Sequence, residues 1–253
     1  MAVTDNAALR FEDVTRVFLD ERGGSITAAE EINLTILEGE FISLVGPSGC
    51  GKSTLLRLAA GLDSPTTGKV WFEGRCIEGP SPQRGLVFQS YNAFPWLTVR
   101  ENVAFGLQEK GECANGKVKE WLEFMGLSEF ADSFPKALSG GMRQRLAIAR
   151  TMIVEPRLLL LDEPFGALDE TRRDSMQQLL LKAVRQTKCT VILVTHDLRE
   201  SVLLADRVVL LKPRPGRILK VIDSTLAKPR TREQMKTPEF LEIYELLVHS
   251  FPA

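Results

Sequence analysis

The stretch Gly46-Pro47-Ser48-Gly49-Cys50-Gly51-Lys52-Ser53 constrains this chain more than any other. It has the form G-x-x-x-x-G-K-[ST]. The glycines let the backbone turn tightly enough for several N–H groups to face one anion, and a helix opening directly after them adds the positive end of its dipole. Lys52 then reaches the β- and γ-phosphates of a nucleotide, and Ser53 offers a hydroxyl to Mg²⁺. A Gly-rich turn without a ligand needs no special flanks. Here the apolar run EFISLVG precedes the motif as a strand, and the spacing from Lys52 to about Ala60, stopped by Gly61, predicts a helix. Gly46, Pro47, Ser48, Gly49, Cys50, Gly51, Lys52, Ser53 and Thr54 are therefore the candidate phosphate-binding residues.

The rest of the chain supports a large α/β fold around that unit. ALRFEDVTRVF and INLTILEGEFISLVG are rich in β-branched and aromatic residues, and KVWFEG and RGLVFQ read as further short strands. From Thr98 to Val154 the apolar spacing turns helical, in VRENVAFGLQ, KVKEWLEFMGL and GMRQRLAIARTMIV. Strand and helix then alternate through RLLLLDEP, ETRRDSMQQLLLKAVRQT, TVILVT, LRESVLLA and RVVLLK, which indicates a parallel sheet covered on both faces. Past Lys212 the sequence reads as basic loops, PRPGRILKV and KPRTREQMKTPEF, before a final amphipathic helix, EFLEIYELLVHSF. The expected organisation is one domain. A core with its β subdomain spans about 8–89 and 155–212, a helical insert about 90–154, and a short C-terminal extension 213–253.

Several further residues point at the same chemistry. LLLLDEP ends a buried strand in two carboxylates, which places Asp162 and Glu163 at the carboxyl edge of the sheet, beside the phosphate loop. Asp162 is suited to hold Mg²⁺, and Glu163 to orient and deprotonate an attacking water. His196 closes another strand of that sheet and can face the γ-phosphate; Gln89 ends GLVFQ and can contact Mg²⁺ or water. His249, in the last helix, reads as solvated. Ser139-Gly140-Gly141 opens a second helix with the same anion-binding potential. For both helix starts to serve one nucleotide within one chain, the helical insert would have to fold across the site; symmetry is the economical alternative. In a two-fold dimer each chain's second start faces the other's phosphate loop, and two sites form at one interface. Asp169, in FGALDE, would lie at that interface.

In this order the motifs GPSGCGKST, Gln89, LSGGM, LLLLDEP, ALDE and His196 resemble the nucleotide-binding subunits of ABC transporters, over nearly the whole chain from about Leu9 to Lys212. The resemblance implies a P-loop NTPase core with an N-terminal antiparallel β subdomain and an inserted α-helical subdomain. It also implies an ATP sandwich dimer, homodimeric or heterodimeric, and Phe18 stacked on adenine. A packed strand residue is the other reading of Phe18. GPSPQRGLVFQSYNAFPWLTVRENVAFGL, LLLLDEPFGALDE and the tail PRPGRI look similar to the ATPases of the nitrate/sulfonate/taurine-type importers of bacteria. Met142 departs from the Gln most ABC proteins carry after the two glycines. The aromatic stretch SYNAFPWLTVRENV is either core packing of the helical insert or, as the resemblance implies, a groove for a cytoplasmic helix of a membrane-spanning permease subunit.

The expected activity is hydrolysis of MgATP to power uptake of a small solute such as nitrate, bicarbonate, taurine or another sulfonate, delivered by an external solute-binding protein. A non-transport ABC ATPase and an exporter ATPase with separate membrane subunits are the alternatives. A net charge of −1 gives no pull toward nucleic acid. The four scattered cysteines show neither disulfide nor zinc spacing. No apolar run approaches membrane-spanning length and no secretory signal opens the chain, so the expected place is peripheral, on the cytoplasmic face of the bacterial inner membrane.

Overall fold

The computed structural model describes residues 6–19, 23–90, 92–107, 112–166 and 168–251. In chain order the strands and helices are β1 (Ala7–Leu19), β2 (Ser25–Leu37), β3 (Phe41–Val45), α1 (Lys52–Ala60), β4 (Thr67–Phe72), β5 (Arg75–Cys76), β6 (Arg84–Val87), α2 (Val99–Ala104), α3 (Glu112–Phe124) and α4 (Gly140–Met152). They continue with β7 (Leu158–Asp162), α5 (Glu170–Thr187), β8 (Thr190–Val194), α6 (Leu198–Leu204), β9 (Arg207–Leu211), β10 (Ile218–Asp223) and α7 (Pro238–Ser250).

One sheet has the order β10-β9-β3-β8-β7-β6. Its five strands from β9 to β6 are parallel, and β10 is antiparallel at the edge. Both faces are covered, as the unbroken apolar runs require. Alternate side chains of each strand enter different cores. Leu159, Leu161, Val191 and Leu193 join the cluster packed on the helical insert and α5, whereas Leu158, Leu160, Ile192 and Val194 join the cluster around α1 and the N-terminal strands. The second sheet is antiparallel, β2-β1-β4-β5, and its inward residues Leu9, Phe11, Ile32 and Ile36 close the second cluster.

The helical insert is held by a buried asparagine. Asn102 Oδ1 accepts from the Phe94 amide at 2.8 Å, and its Nδ2 donates to the carbonyls of Phe94, Leu97 and Thr98 at 3.1, 3.0 and 2.9 Å. One fully buried side chain thus fixes the turn before α2, whose Thr98 and Glu101 form a reciprocal cap. Replacing Asn102 with Ala leaves buried backbone groups unpaired. The expected cost is about 1–3 kcal/mol, read as a lower denaturant midpoint; an unchanged midpoint would remove Asn102 as the anchor.

The structure differs from the sequence reading in two places. The apolar spacing predicted helix through VRENVAFGLQ, but α2 stops at Ala104, and Phe105 lies on the surface. The stretch after Lys212 was expected to be loop. Instead β10 pairs along β9, with Val221 opposite Val209 and Ile222 opposite Val208. Ile222, Leu226, Phe240, Ile243 and Leu247 then enter the main core, and α7 packs on α6 and β10. The alternation in ILKVID is weak because only Ile222 is fully buried, so its basic flanks dominated the sequence pattern. His249 is exposed as expected, and its Nδ1 lies 2.7 Å from the Glu245 carbonyl within its own helix.

A carboxylate also lies in the interior. Glu200, in α6, is 4% exposed and accepts from Gln177 Nε2 at 2.9 Å. Burial pushes its carboxyl above the ordinary range, against the pull of hydrogen bonds from Thr195 and Gln177. A raised folded-state pKa on an acid means that stability is fully present below the unfolded pKa, about 4.3, and declines as pH rises toward the folded value. Glu200→Gln should therefore match the wild type in urea midpoint at acid pH and exceed it at neutral pH. A variant less stable at neutral pH would mean that the charge itself is needed there.

Candidate functional site

The phosphate loop leaves the carboxyl end of β3 and enters α1. Gly51 caps that helix with φ +90° and no side-chain cap, so the first N–H groups of α1 have no protein acceptor from a cap. A Cβ on Gly51 would lie 2.4 Å from the Ala28 carbonyl, which makes glycine obligatory. Lys52 is almost fully buried; its ammonium donates to the carbonyls of Gly46 at 2.7 Å and Pro47 at 2.9 Å, with Cys50 Sγ at 3.7 Å. Gly46, Pro47 and Cys50 thus form the back of the loop. Ser48, Gly49, Gly51, Lys52, Ser53 and Thr54 line a cavity of about 570 Å³.

The neighbouring strands bring the acids and the histidine to the same place. Ser53 Oγ donates to Asp162 Oδ1 at 3.1 Å, across 109 residues of sequence. Burial pushes the Asp162 carboxyl up and the nearby Glu163 charge adds to this, while the Ser53 hydroxyl and Lys52 act in the opposite direction. Glu163 follows with φ +46°, a left-handed conformation that costs a non-glycine residue about 1–3 kcal/mol. Its amide donates to the Val194 carbonyl at 2.9 Å, which helps hold the turn. The turn aims the carboxylate at the cavity, where Glu163 Oε2 lies 3.2 Å from Gln89 Nε2 and 3.3 Å from His196 Nδ1. His196 lines the same cavity and is 66% exposed in its side chain.

Phe18 is 37% exposed and shares the cavity with Ile26 and Ala28, with the Arg16 guanidinium 4.5 Å over its ring. It is a residue of β1 whose ring is partly exposed at the cavity rim. The other predicted residues are not brought to the cavity within one chain. Ser139 caps α4, its Oγ accepting weakly from Met142 N–H at 3.4 Å, and neither it nor Gly140 and Gly141 lines the cavity. Asp169 caps α5 by accepting from Arg172 N–H at 3.0 Å, and also lies outside it. Gln144 of α4 is fully buried, and its Nε2 donates to the Pro164 carbonyl, one residue past Glu163. The helix opened by Ser139 is thereby tied to the strand end that carries the carboxylates.

Sequence reasoning missed the tail's part in this site. Arg214 lines the cavity, and its Nε donates to the Gly49 carbonyl at 2.9 Å, 165 residues away. Gly216 sits so close behind the loop that a Cβ there would meet the Cys50 carbonyl at 2.0 Å. The run Pro213-Arg214-Pro215-Gly216-Arg217 was the available signal, since two cations in a Pro/Gly turn are unusual for a plain linker.

Among the described residues no cluster of three or more His, Cys, Asp or Glu side chains could hold a metal by itself. The donor set fits a divalent ion that arrives with a nucleotide: one hydroxyl and one carboxylate at Ser53 and Asp162, with Gln89 near Glu163. No helix among them is long and apolar enough to cross a membrane.

Comparison with known proteins agrees with this geometry. Residues 29–166 match the family model described as ABC transporter. An uncharacterised ABC transporter ATP-binding protein of Methanocaldococcus jannaschii is 47% identical over 237 residues, covering 92% of this chain and 87% of that protein. An aliphatic sulfonates import ATP-binding protein of Bacillus cereus is 44% identical over 234 residues, with 92% of each chain covered. Among solved structures, a dimeric bacterial ABC transporter cassette superposes with a TM-score of 0.76 at 34% identity, covering 85% of this chain and 98% of that one. The same cassette as a post-hydrolysis dimer bound to ADP and Pi gives 0.75 at 33% identity, with the same coverage. With its phosphate loop, paired carboxylates and histidine gathered on one sheet edge, the chain belongs to the ABC transporter family, among its ATP-binding and ATP-hydrolysing subunits.

Proposed function

We propose that this subunit works as a dimer on the cytoplasmic face of membrane-spanning permease subunits and powers the uptake of an aliphatic sulfonate, delivered by an external solute-binding protein. The observation that carries the catalytic part is Glu163, turned into the phosphate-loop cavity by a left-handed backbone and contacted there by Gln89 and His196.

The geometry supports the following roles. Phe18 offers a ring face to a base. The free N–H groups at the start of α1 take phosphate oxygens, and the Lys52 ammonium exchanges its Gly46 and Pro47 carbonyls for them. Ser53, Asp162 and Gln89 would hold Mg²⁺, which when bound neutralises charge on the phosphate oxygens. Glu163 accepts the proton of the attacking water, and His196 contacts the γ-phosphate and orients the Glu163 carboxylate. Arg214 adds a cation to the cavity and braces Gly49.

The dimer reading has its own support. Gly140 opens α4 with open space where a Cβ would stand, so nothing among the described residues demands glycine there. A ligand approaching closely from another subunit is the reason that remains. One related cassette is seen as a dimer in two structures, and Ser139, Gly140, Gly141 and Asp169 are the residues this chain would present to its partner.

The permease reading rests on an exposed aromatic patch. Trp96 is 69% and Phe105 62% exposed, their rings gathered on Phe94 at 5.5 and 4.4 Å, with Arg150 stacked 4.8 Å from Phe94. Core packing does not account for them, and a cluster of this kind suits a docking helix. The sulfonate assignment rests on the import proteins of Bacillus at 44–46% identity, whose names carry that solute. Deleting the gene tests it: growth on ethanesulfonate as sole sulfur source should stop while growth on sulfate persists. Unimpaired growth on ethanesulfonate would point to nitrate, bicarbonate or taurine instead. Recovery of the tagged protein without any multi-span partner in solubilised membranes would overturn the transport role.

A further inference from the structure

A second cavity, of about 360 Å³, lies at the opposite edge of the main sheet from the phosphate loop. Its floor is apolar: Phe41 at the start of β3, Leu204 at the end of α6, and Leu181 and Val184 of α5, with the buried Cys189 thiol beside them. Its rim carries four cations, Arg185, Lys188, Lys228 and Arg230. The last two come from the basic tail, beyond the Arg214–Gly216 turn that the nucleotide site uses. β3 and β8 each span five residues, so the two cavities stand about 17 Å apart along the strands.

Charge at this rim is not balanced. Lys228 and Arg230 both pair with Asp206, at 2.8 Å each. Burial pushes the Asp206 carboxyl up, but the Lys228 and Arg230 cations and the Phe41 amide together outweigh that and hold it below the usual range, so it stays ionised. Among the described residues Arg185 and Lys188, both exposed, have no carboxylate partner, and the Nε of the buried Arg230 has no acceptor. The C-terminal end of α5 contributes the equivalent of about half a negative charge here. Four cations against one carboxylate and that dipole leave a clear positive excess.

From this juxtaposition we propose that the cavity binds a small organic monoanion with an aliphatic body, its carboxylate or sulfonate head at Arg185, Lys188 and Arg230 and its chain on Phe41, Leu181, Val184 and Leu204. The volume is at the low end for small-molecule sites, roughly 300–1,000 Å³, and suits a medium-chain aliphatic acid. An inorganic anion would leave the apolar floor unused, and an uncharged chain would leave the cations unpaired. The site stands independently of the ATPase assignment and of the transported solute.

Calorimetric titration of the full-length protein with octanoate and octanesulfonate tests it, with octanol, octylamine and inorganic phosphate as comparison probes. Saturable one-to-one binding of one or both anions is expected, with octanol at least about tenfold weaker and octylamine and phosphate not measurably bound. Arg185→Gln combined with Lys188→Gln should weaken the anion at least about tenfold while leaving ATP binding unchanged, which also shows that the variant is folded. Val184→Phe, which fills the floor without touching charge, should weaken it as well. Lys52→Ala should leave it unaltered, so that failure here and failure of the nucleotide site are separate results. Absence of saturable anion binding, equal binding of octylamine, or full affinity in both the charge and the floor variants would overturn the proposal.

Discussion

Glu163→Gln is expected to bind ATP with undiminished affinity, to lose about 10²–10⁴-fold in turnover, and to accumulate as an ATP-bound dimer. The substitution keeps the volume of the side chain and one oxygen for Gln89 and His196 to contact, so the cavity keeps its shape. It removes only the capacity to take a proton. The left-handed backbone at Glu163 is unaffected, because the hydrogen bond its amide donates to the Val194 carbonyl does not involve the side chain. Phosphate release in single turnover, nucleotide retention on a filter and size-exclusion chromatography measure the three parts. Wild-type turnover would remove Glu163 as the base and leave Asp162 and His196 as the groups to examine.

The second large effect concerns where Ser139 acts. Within one chain it caps α4 and lies outside the phosphate-loop cavity. Two variants, Lys52→Ala and Ser139→Arg, each damage both sites of their own homodimer if each site combines the loop of one chain with the α4 start of the other. A mixed dimer then collects both lesions in one site and leaves the other whole. In a Glu163→Gln background, which traps nucleotide, the mixed dimer should retain one labelled ATP, and each homodimer close to none. If the mixed dimer also retains none, each lesion acts in its own chain, and the across-dimer arrangement is wrong. The open space at Gly140 would then need another explanation.

These outcomes bear on how much the chain's residues reveal before they are folded. The unit from β3 through α1 was legible because its determinants are local. The glycines, Lys52 and Ser53 are contiguous, and Gly61 ends α1 within one turn of the last apolar residue. The ends of β7 and β8 were legible for a related reason: a buried parallel strand is an unbroken apolar run, so its carboxyl end, where Asp162, Glu163 and His196 sit, is visible as the point where polarity resumes. Ser139 was readable as a helix start, but what it and Asp169 face rested on a symmetry argument, since a cap is a local structure and its outward side is not.

Sequence alone therefore determined the nucleotide chemistry, the parallel core and the family, because each depends on residues near one another in the chain or on a period that local backbone geometry imposes. Tertiary structure decided the rest. Arg214 and Gly216 reach Gly49 and Cys50 only because β10 folds back on β9. Asn102 holds a turn by four hydrogen bonds that no spacing announces. The cation-rimmed cavity joins α5 to a tail that reads as loop. The Asn102 bonds stay within eight residues of chain, but the others rest on groups brought together from distant segments. Such contacts are set by which surfaces must be buried against each other, a property of the packed whole rather than of any stretch of residues.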